Sequence, residues 1–539
     1  MASIDKKSSP DGVPRGDAAA NADVEKLGSP HGDNTLAMAD GEDILALQDL
    51  DPALNMKMHL VNNAIDEIGW TNYHWKLFVL NGFGYGVDSL ILLLQSVIST
   101  YAFKEFGEKG YSAGLTISVY VGMLTGAIFW GMSADIIGRK WAFNISLFIC
   151  SSAAIVAGAA PNWPSLGFFI ALVGFGGGGN LILDTTIFLE YLPSNKQWVL
   201  TFMACWGVWG KPSPVSLPGA FLVHHAVCLT LNLVPAEWNC ASVDNCPKAS
   251  NWGWRYTMFT AGALVFVMSV LRITVIRLKE TPKYLLGIGE DAELIEGLQA
   301  LATKYNRPCS LTLEKLEACG TIRSTHSKNR SSLGELAVHL RGLFGTRKIA
   351  LSTCLVWFSW TLIGLAYPLF YVFLNQYLES RGATKGVSTY DTWRNYALTN
   401  VSGIFGPVLA GWMCNQKLLG RKYTMAIGAL VTMTFFFAYT AVSTPAQNVG
   451  FSCAIGFCLN IYYGTLYAYT PEVLPSAHRA TGNGIAVACN RVMGIISAVV
   501  GTTANTGTTA PIYVCAALFA GLAIISVIFP FEPYGRRSS

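Results

Sequence analysis

Apolar runs of about twenty residues recur along this chain, near 75–100, 113–134, 141–160, 165–190, 198–234, 255–277, 349–375, 394–415, 423–443, 448–470, 482–504 and 511–530. A helix needs about twenty such residues to cross the hydrocarbon core of a bilayer. The pattern therefore predicts an all-α membrane protein with about twelve crossings. The polar interval 278–348 divides the runs six and six. Residues 1–55, rich in Ser, Gly, Asp, Ala and Pro, read as a disordered tail. The expected organisation is tail 1–55, first half 56–277, central loop 278–348, second half 349–530 and short tail 531–539. No cleavable signal is visible, so the first apolar run is expected to direct insertion.

Basic residues gather in alternate connections: Arg139 and Lys140, then Lys279 through Lys348, then Lys417, Arg421 and Lys422, then Arg479, then Arg536 and Arg537. Cytoplasmic loops carry the excess of Lys and Arg, which places both tails and the central loop in the cytoplasm. A soluble domain has about 25% charged residues, whereas this chain has 13% and a mean hydropathy of +0.39. The net charge of +4 belongs to the loops and speaks to orientation, so no nucleic-acid partner is expected. Most of the thirteen cysteines, Cys150, Cys354 and Cys458 among them, stand alone in apolar runs and act as small hydrophobes, so no metal site is expected. Cys240 and Cys246 share a polar segment, where a small disulfide fits an extracellular or lumenal loop.

Run five is irregular. Lys211-Pro-Ser-Pro-Val-Ser-Leu-Pro218 interrupts it, and three prolines beside a lysine damage a lipid-facing helix. Residues 205–235 are either a functionally broken helix or foreign sequence from the gene model, and the second is the expectation. His224 and His225 lie there and are not taken as site residues.

The connection after run two reads Gly131-Met-Ser-Ala-Asp135-Ile-Ile-Gly138-Arg139-Lys140. Gly131 lets two helices approach closely. Asp135 ends a helix and offers its carboxylate to a cation or a helix N-terminus. Gly138 gives the turn its freedom. The halves echo each other: Gly411 through Asn415 to Gly420-Arg421-Lys422 holds the matching place, with longer spacing and no acid. Leu189-Glu190-Tyr-Leu-Pro193 is answered by Pro471-Glu472-Val-Leu-Pro475, with Arg479 beyond.

The form G-x-x-x-D-x-x-G-R-K resembles the signature between helices two and three of the major facilitator superfamily of transporters. Glu280-Thr-Pro-Lys-Tyr-Leu285 is similar to the P-E-S-P-R-Y-L element of sugar porters, and Phe531-Glu-Pro-Tyr-Gly535 to their closing P-E-T-K-G. Tyr469 through Pro475, then Arg479 and Gly482-Asn-Gly484, looks like the helix-ten exit of the synaptic-vesicle-protein-two-related, organic-ion branch. The resemblance covers about residues 60–535. It implies the major facilitator fold, two parallel six-helix halves rocking about a site at their interface. Run seven lacks a Q-L-S element, so a hexose is discounted.

Charged and polar side chains inside the runs are the candidates for a transport path, because a charge at the bilayer centre costs about 2.5–3.5 kcal/mol on insertion scales. Asp88 lies mid-run and is the favoured proton carrier. Asn180 and Asp184 share a helix face, either toward a cavity or at a packed seam. Arg491 either holds an anionic substrate, pairs with an acid across the halves, or snorkels. Tyr367, Tyr371 and Asn375 in run seven, with Asn460 and Tyr463 in run ten, suit a cyclic or weakly polar ligand. Gly131, Asp135, Gly138, Arg139, Lys140, Glu190, Gly420, Arg421, Lys422, Glu472 and Arg479 form the conformational motif.

The reading is a monomeric, proton-coupled secondary transporter of a small organic molecule, an organic acid or other cyclic metabolite, with no cofactor and no enzymatic site. Its partners are the substrate, protons and the lipid bilayer. The plasma membrane is expected, with vacuolar or vesicle membranes as alternatives. Export of a toxic metabolite and a non-transporting membrane sensor are the rival readings.

Overall fold

The computed structural model describes residues 52–106, 113–209, 246, 248, 251–276, 278–322, 332–380, 389–503 and 509–536. Before the first long apolar helix comes α1 (Pro52–Ile68). The first half then holds α2 (Asn72–Phe106), α3 (Gly114–Ile136), α4 (Arg139–Ala157), α5 (Trp163–Gly177), α6 (Asn180–Tyr191), α7 (Trp198–Met203), α8 (Cys205–Trp209) and α9 (Gly253–Leu271). The polar interval carries α10 (Pro282–Ile288), α11 (Asp291–Lys304), α12 (Leu313–Glu317) and α13 (Ser332–Gly342). The second half holds α14 (Arg347–Ser380), α15 (Thr389–Cys414), α16 (Gly420–Tyr439), α17 (Pro445–Glu472), α18 (Arg479–Thr503) and α19 (Ala510–Ile528).

Among the described residues nine spans are long and apolar enough to cross a membrane, α5 and α6 counting as one, Trp163–Tyr191. Helices α15 and α16 fill the eighth and ninth apolar runs. Run five begins as α7 and α8, and residues 210–245 lie outside the described residues. Cys246 is disulfide-bonded, while Cys240 falls among the residues not described.

The halves meet along two seams. Helix α3 packs on α18, and α15 packs on α7 and α8. Within the first half, α5 lies against α3 and α4, and small residues allow it: a methyl group at Gly174 would come 2.5 Å from the Val119 carbonyl oxygen. Outward-facing apolar side chains such as Phe129, Trp141, Phe168, Phe405 and Trp412 remain exposed, as a lipid-facing surface requires.

The polar interval is more ordered than its composition suggests. Helices α10 to α12 fold against α1 around Val61, Ile65, Leu286, Leu294, Leu298 and Leu316, a core separate from the bundle. Lys57 Nζ lies 2.5 Å from Asp291 Oδ2. Glu67 accepts from the Ser310 N–H at 2.7 Å and from its hydroxyl at 2.6 Å. Residues 52–55, read from composition as tail, belong to α1: Pro52 opens the helix, where its missing N–H is no loss, and Leu54 packs on this core.

Candidate functional site

At the basic end of the bundle the loop after α3 is drawn into the protein. Gly131 sits where α3 touches α18, and a methyl group there would come 2.8 Å from Gly484 Cα and 2.9 Å from the Ala480 carbonyl oxygen. The chain turns at Gly138 with φ of 101°, a conformation L side chains rarely adopt. Asp135 points across to the other half and accepts from the Thr481 N–H in the first turn of α18 at 2.7 Å. A carboxylate there meets both an orphan donor and the positive end of the helix dipole.

Arg139 ties the seam together. Its guanidinium pairs with Glu190 on α6, lies 3.6 Å from Asp135, and donates to the Ser476 carbonyl at 2.8 Å and to the Thr281 hydroxyl at 3.2 Å. Glu190 also receives Arg479 from the opposite half at 3.3 Å. All four charged groups are at most 4% exposed. Cross-half contacts from Asp135 to Thr481, Arg139 to Ser476, Arg479 to Glu190 and Asn483 to Thr185 hold this end of the bundle closed.

Two acids missed in the sequence reading set the frame of this latch. Glu280 accepts from the backbone N–H groups of Arg139 at 2.8 Å and Lys140 at 3.2 Å, capping α4. Glu532 does the same for Arg421 at 2.9 Å and Lys422 at 3.0 Å, capping α16. Glu280 lies in the sugar-porter-like element and Glu532 in the closing one, so the signal was present but its partner was not legible. In the second half Arg421 pairs with Glu472 at 3.1 and 2.9 Å, and Gly420 turns the chain with φ of 55°.

Mid-bundle, Arg491 on α18 reaches into the first half and places one guanidinium nitrogen 2.7 and 2.9 Å from the two carboxylate oxygens of Asp88 on α2. Both side chains are nearly buried, which excludes snorkelling. Tyr120, Tyr463 and Tyr467 lie close enough to the guanidinium to interact electrostatically. Asn490 donates to the Tyr463 hydroxyl at 3.4 Å. Tyr463 stacks parallel to Tyr367, centroids 6.0 Å apart, and meets Trp360 at 5.9 Å and Tyr467 at 4.6 Å. A buried cation, its counter-ion and a wall of phenols thus converge between the halves.

Other candidates are placed elsewhere. Asp184 is ion-paired with Arg272 at 2.7 Å, wholly within the first half, and Arg272 also lies over the Phe143 ring at 4.0 Å. Asn180 accepts from the Ser146 hydroxyl at 3.2 Å. Both are fully buried at helix–helix contacts. Arg272 went unread although an arginine inside an apolar run is itself a signal. Asn460 donates to the Gly456 carbonyl of its own helix at 2.6 Å and abuts Gly406 of α15. Tyr371 and Asn375 lie in α14, but their side chains fall outside the described residues. Far from the latch, Glu105 at the end of α2 receives Arg255 at 2.6 and 2.7 Å and the Trp254 indole at 3.1 Å, joining α2 to α9.

Comparison with known proteins agrees with this architecture. The family model described as Major Facilitator Superfamily matches residues 249–498 and 350–538. A relative named MFS siderochrome iron transporter 1, from Ceriporiopsis subvermispora, is 39% identical over 499 residues, covering 91% of this chain and 93% of its own. A relative named Niacin transporter NiaP, from Acinetobacter baylyi, is 26% identical and covers 83% of this chain and 90% of its own. Among solved structures, a proton:xylose symporter, XylE, superposes with a TM-score of 0.64 at 15% identity, covering 87% of this chain and 98% of that one. The chain is a multi-pass membrane transporter of small organic molecules and belongs to the major facilitator superfamily.

Proposed function

We propose that this transporter couples proton movement to the passage of a small organic acid through the Asp88–Arg491 site. The observation that carries the reading is the buried ion pair formed between the two halves, 2.7 Å at its shortest. Removing one member of such a pair costs about 3–5 kcal/mol, because the other charge is left uncompensated. An anionic group of a substrate satisfies Arg491 in place of Asp88, and the released carboxylate then takes up a proton. The phenols of Tyr120, Tyr463 and Tyr467 supply flat apolar faces with polar edges for the body of the ligand. Alternation follows when the two halves rock and the latch at the basic end exchanges its partners. The positive-inside rule makes that end cytoplasmic.

The test is Asp88→Asn in proteoliposomes, with labelled niacin and a panel of cyclic carboxylates as probes. Asn keeps the shape of Asp but takes up no proton. The expected result is loss of accumulation driven by an imposed pH gradient, with substrate exchange retained. Undiminished gradient-driven accumulation would remove Asp88 from the coupling and leave Asp184 as the next carboxyl to test.

A further inference from the structure

The first-half charges of the latch stand on helix ends that must themselves be held, and one buried ring reaches them. His74, in the first turn of α2, is 1% exposed. Its Nε2 donates to the Tyr191 carbonyl at the end of α6, 2.8 Å away and 117 residues along the chain. A carbonyl only accepts, so the ring hydrogen sits on Nε2. Nδ1 then accepts from the Thr71 N–H at 3.1 Å and from the Thr71 hydroxyl at 2.9 Å. Trp70 stacks on the same ring, centroids 5.3 Å apart. The Tyr191 carbonyl is one of those that a helix leaves unpaired at its C-terminus. Tyr191 directly follows Glu190, the acid that receives Arg139 and Arg479. Its side chain leads to the other first-half charge. The Tyr191 hydroxyl donates to the carbonyls of Lys279 at 3.4 Å and Glu280 at 3.3 Å, and the Glu280 carboxylate caps α4 at the Arg139 N–H. The loop beyond α6 is held separately, by Asp66 of α1, which accepts from the Ser194 N–H at 2.7 Å and its hydroxyl at 2.9 Å. The acid and the arginine that the first half brings to the latch therefore meet at Tyr191, and His74 holds its backbone.

We propose that His74 is a positioning residue for the latch: by fixing the end of α6 against the start of α2, it keeps Glu190 and Arg139 aimed at the second half. The inference goes beyond the central site and does not depend on what binds at Asp88 and Arg491. Charge-assisted hydrogen bonds need close, aligned contact, so an acid that serves two arginines tolerates little movement of its helix end. A helix end frays where its last carbonyls lack partners. The consequence of losing the His74 bond is therefore felt across the seam, in the first turn of α18. There the Thr481 N–H donates to Asp135 and Arg479 meets Glu190. Two substitutions separate this role from the local one. The imidazole nitrogens are joined through a single carbon, as are the oxygen and nitrogen of a Gln amide, so Gln reproduces both the Thr71 and the Tyr191 bonds. The Asn amide stands one carbon closer to the backbone, where it reaches Thr71 but not Tyr191.

The experiment is amide hydrogen exchange on the full-length protein in lipid nanodiscs, at one pH and without substrate. In His74→Asn, residues 476–484 are expected to lose protection about tenfold, although they belong to the other half, while α5 and α19 stay protected. His74→Gln should match the wild type. In a Glu190→Gln background, where the ion pairs are already weakened, His74→Asn should change residues 476–484 by less than about twofold, because the two residues act on one contact. Tyr191→Phe removes the bonds to residues 279–280, and it should loosen residues 139–143 and 476–484 by about three- to fivefold. It gives the same reading should His74→Asn fail to insert. A merely local role for His74 would loosen residues 71–78 and 188–192 and leave 476–484 as in the wild type, and that result overturns the proposal. So does a His74→Gln protein as loosened as His74→Asn, a His74→Asn effect of full size in the Glu190→Gln background, or a Tyr191→Phe protein unchanged over 476–484.

Discussion

The two seams between the halves are built on one plan and held differently. Where α3 meets α18, Gly131 lies against backbone, Asp135 caps the opposite helix, and Glu190 receives an arginine from each half. Where α15 meets α7 and α8, Gly411 takes the place of Gly131. A methyl group there would meet Phe202 Cβ at 3.4 Å, an ordinary contact. Four residues on, where the first half has Asp135, the second has Asn415, which is exposed. Seven residues after Glu190 stands Gln197, whereas seven after Glu472 stands Arg479. Glu472 accordingly has Arg421 from its own half, and the weak contact between the Thr201 hydroxyl and Cys414 Sγ, 3.9 Å, is the polar link from α7 to α15 among the described residues. Charge at a seam makes its closure discrete and reversible, since the contacts are strong when made and leave costly orphans when half made. An uncharged seam keeps the halves together while allowing small sliding. The charged seam is thus expected to govern opening, and the neutral one to act as its pivot.

This contrast predicts a ranking of effects. Arg139→Ala should be the most severe: it strips Glu190 of one partner and frees Asp135 and the Ser476 carbonyl. A loss of about 3 kcal/mol from the closed state is more than a hundredfold in population. Transport in proteoliposomes should be nearly abolished while the protein still elutes as a folded species from gel filtration; normal transport would break the role given to this seam. Next, Gly131→Ala should cut transport about tenfold because the new methyl meets backbone, which cannot step aside, whereas Gly411→Ala should stay within about twofold. Equal effects of the two would erase the difference between the seams. Asp135→Asn should also lower the rate, by roughly tenfold, because its amide oxygen still accepts from Thr481 but gives up the ionic share of that bond, about 1.5 kcal/mol. The smallest effect sharpens the comparison: Gln197→Arg offers Glu472 the missing second cation. Substrate exchange should slow about two- to fivefold, and a variant as fast as wild type would show that charge is not what distinguishes the seams.

Much of this was legible in the chain. The run lengths give the helices, and Gly131 through Lys140, Glu190, Glu472 and Arg479 announce the latch because tight turns and buried charges need particular residue types. What could not be read was pairing. Asp88 and Arg491 are 403 residues apart, and each alone admits several partners. Asp184 looked as much like a cavity group as Asp88 did, because an apolar run hides which way a helix is rotated; Arg272, its partner in the fold, settles its contacts. Tyr120 gave no signal either, since a lone tyrosine in an apolar run is ordinary until an arginine from another helix is seen beside it.

The small core around α1 bears on how the protein is made. Lys57 and Asp291 are separated by 234 residues. A ribosome adds about 5–20 residues per second, so α1 exists for roughly ten to fifty seconds of synthesis before α10 to α12 appear. During that interval the residues of α10 to α12 against which Met58, Val61, Ile65 and Ile68 pack do not yet exist. The docking of α1 is therefore a contact that synthesis makes possible only after the chain between α1 and α10 is complete. It becomes possible once α10 to α12 have emerged, before α14 and the helices that follow it have been synthesised.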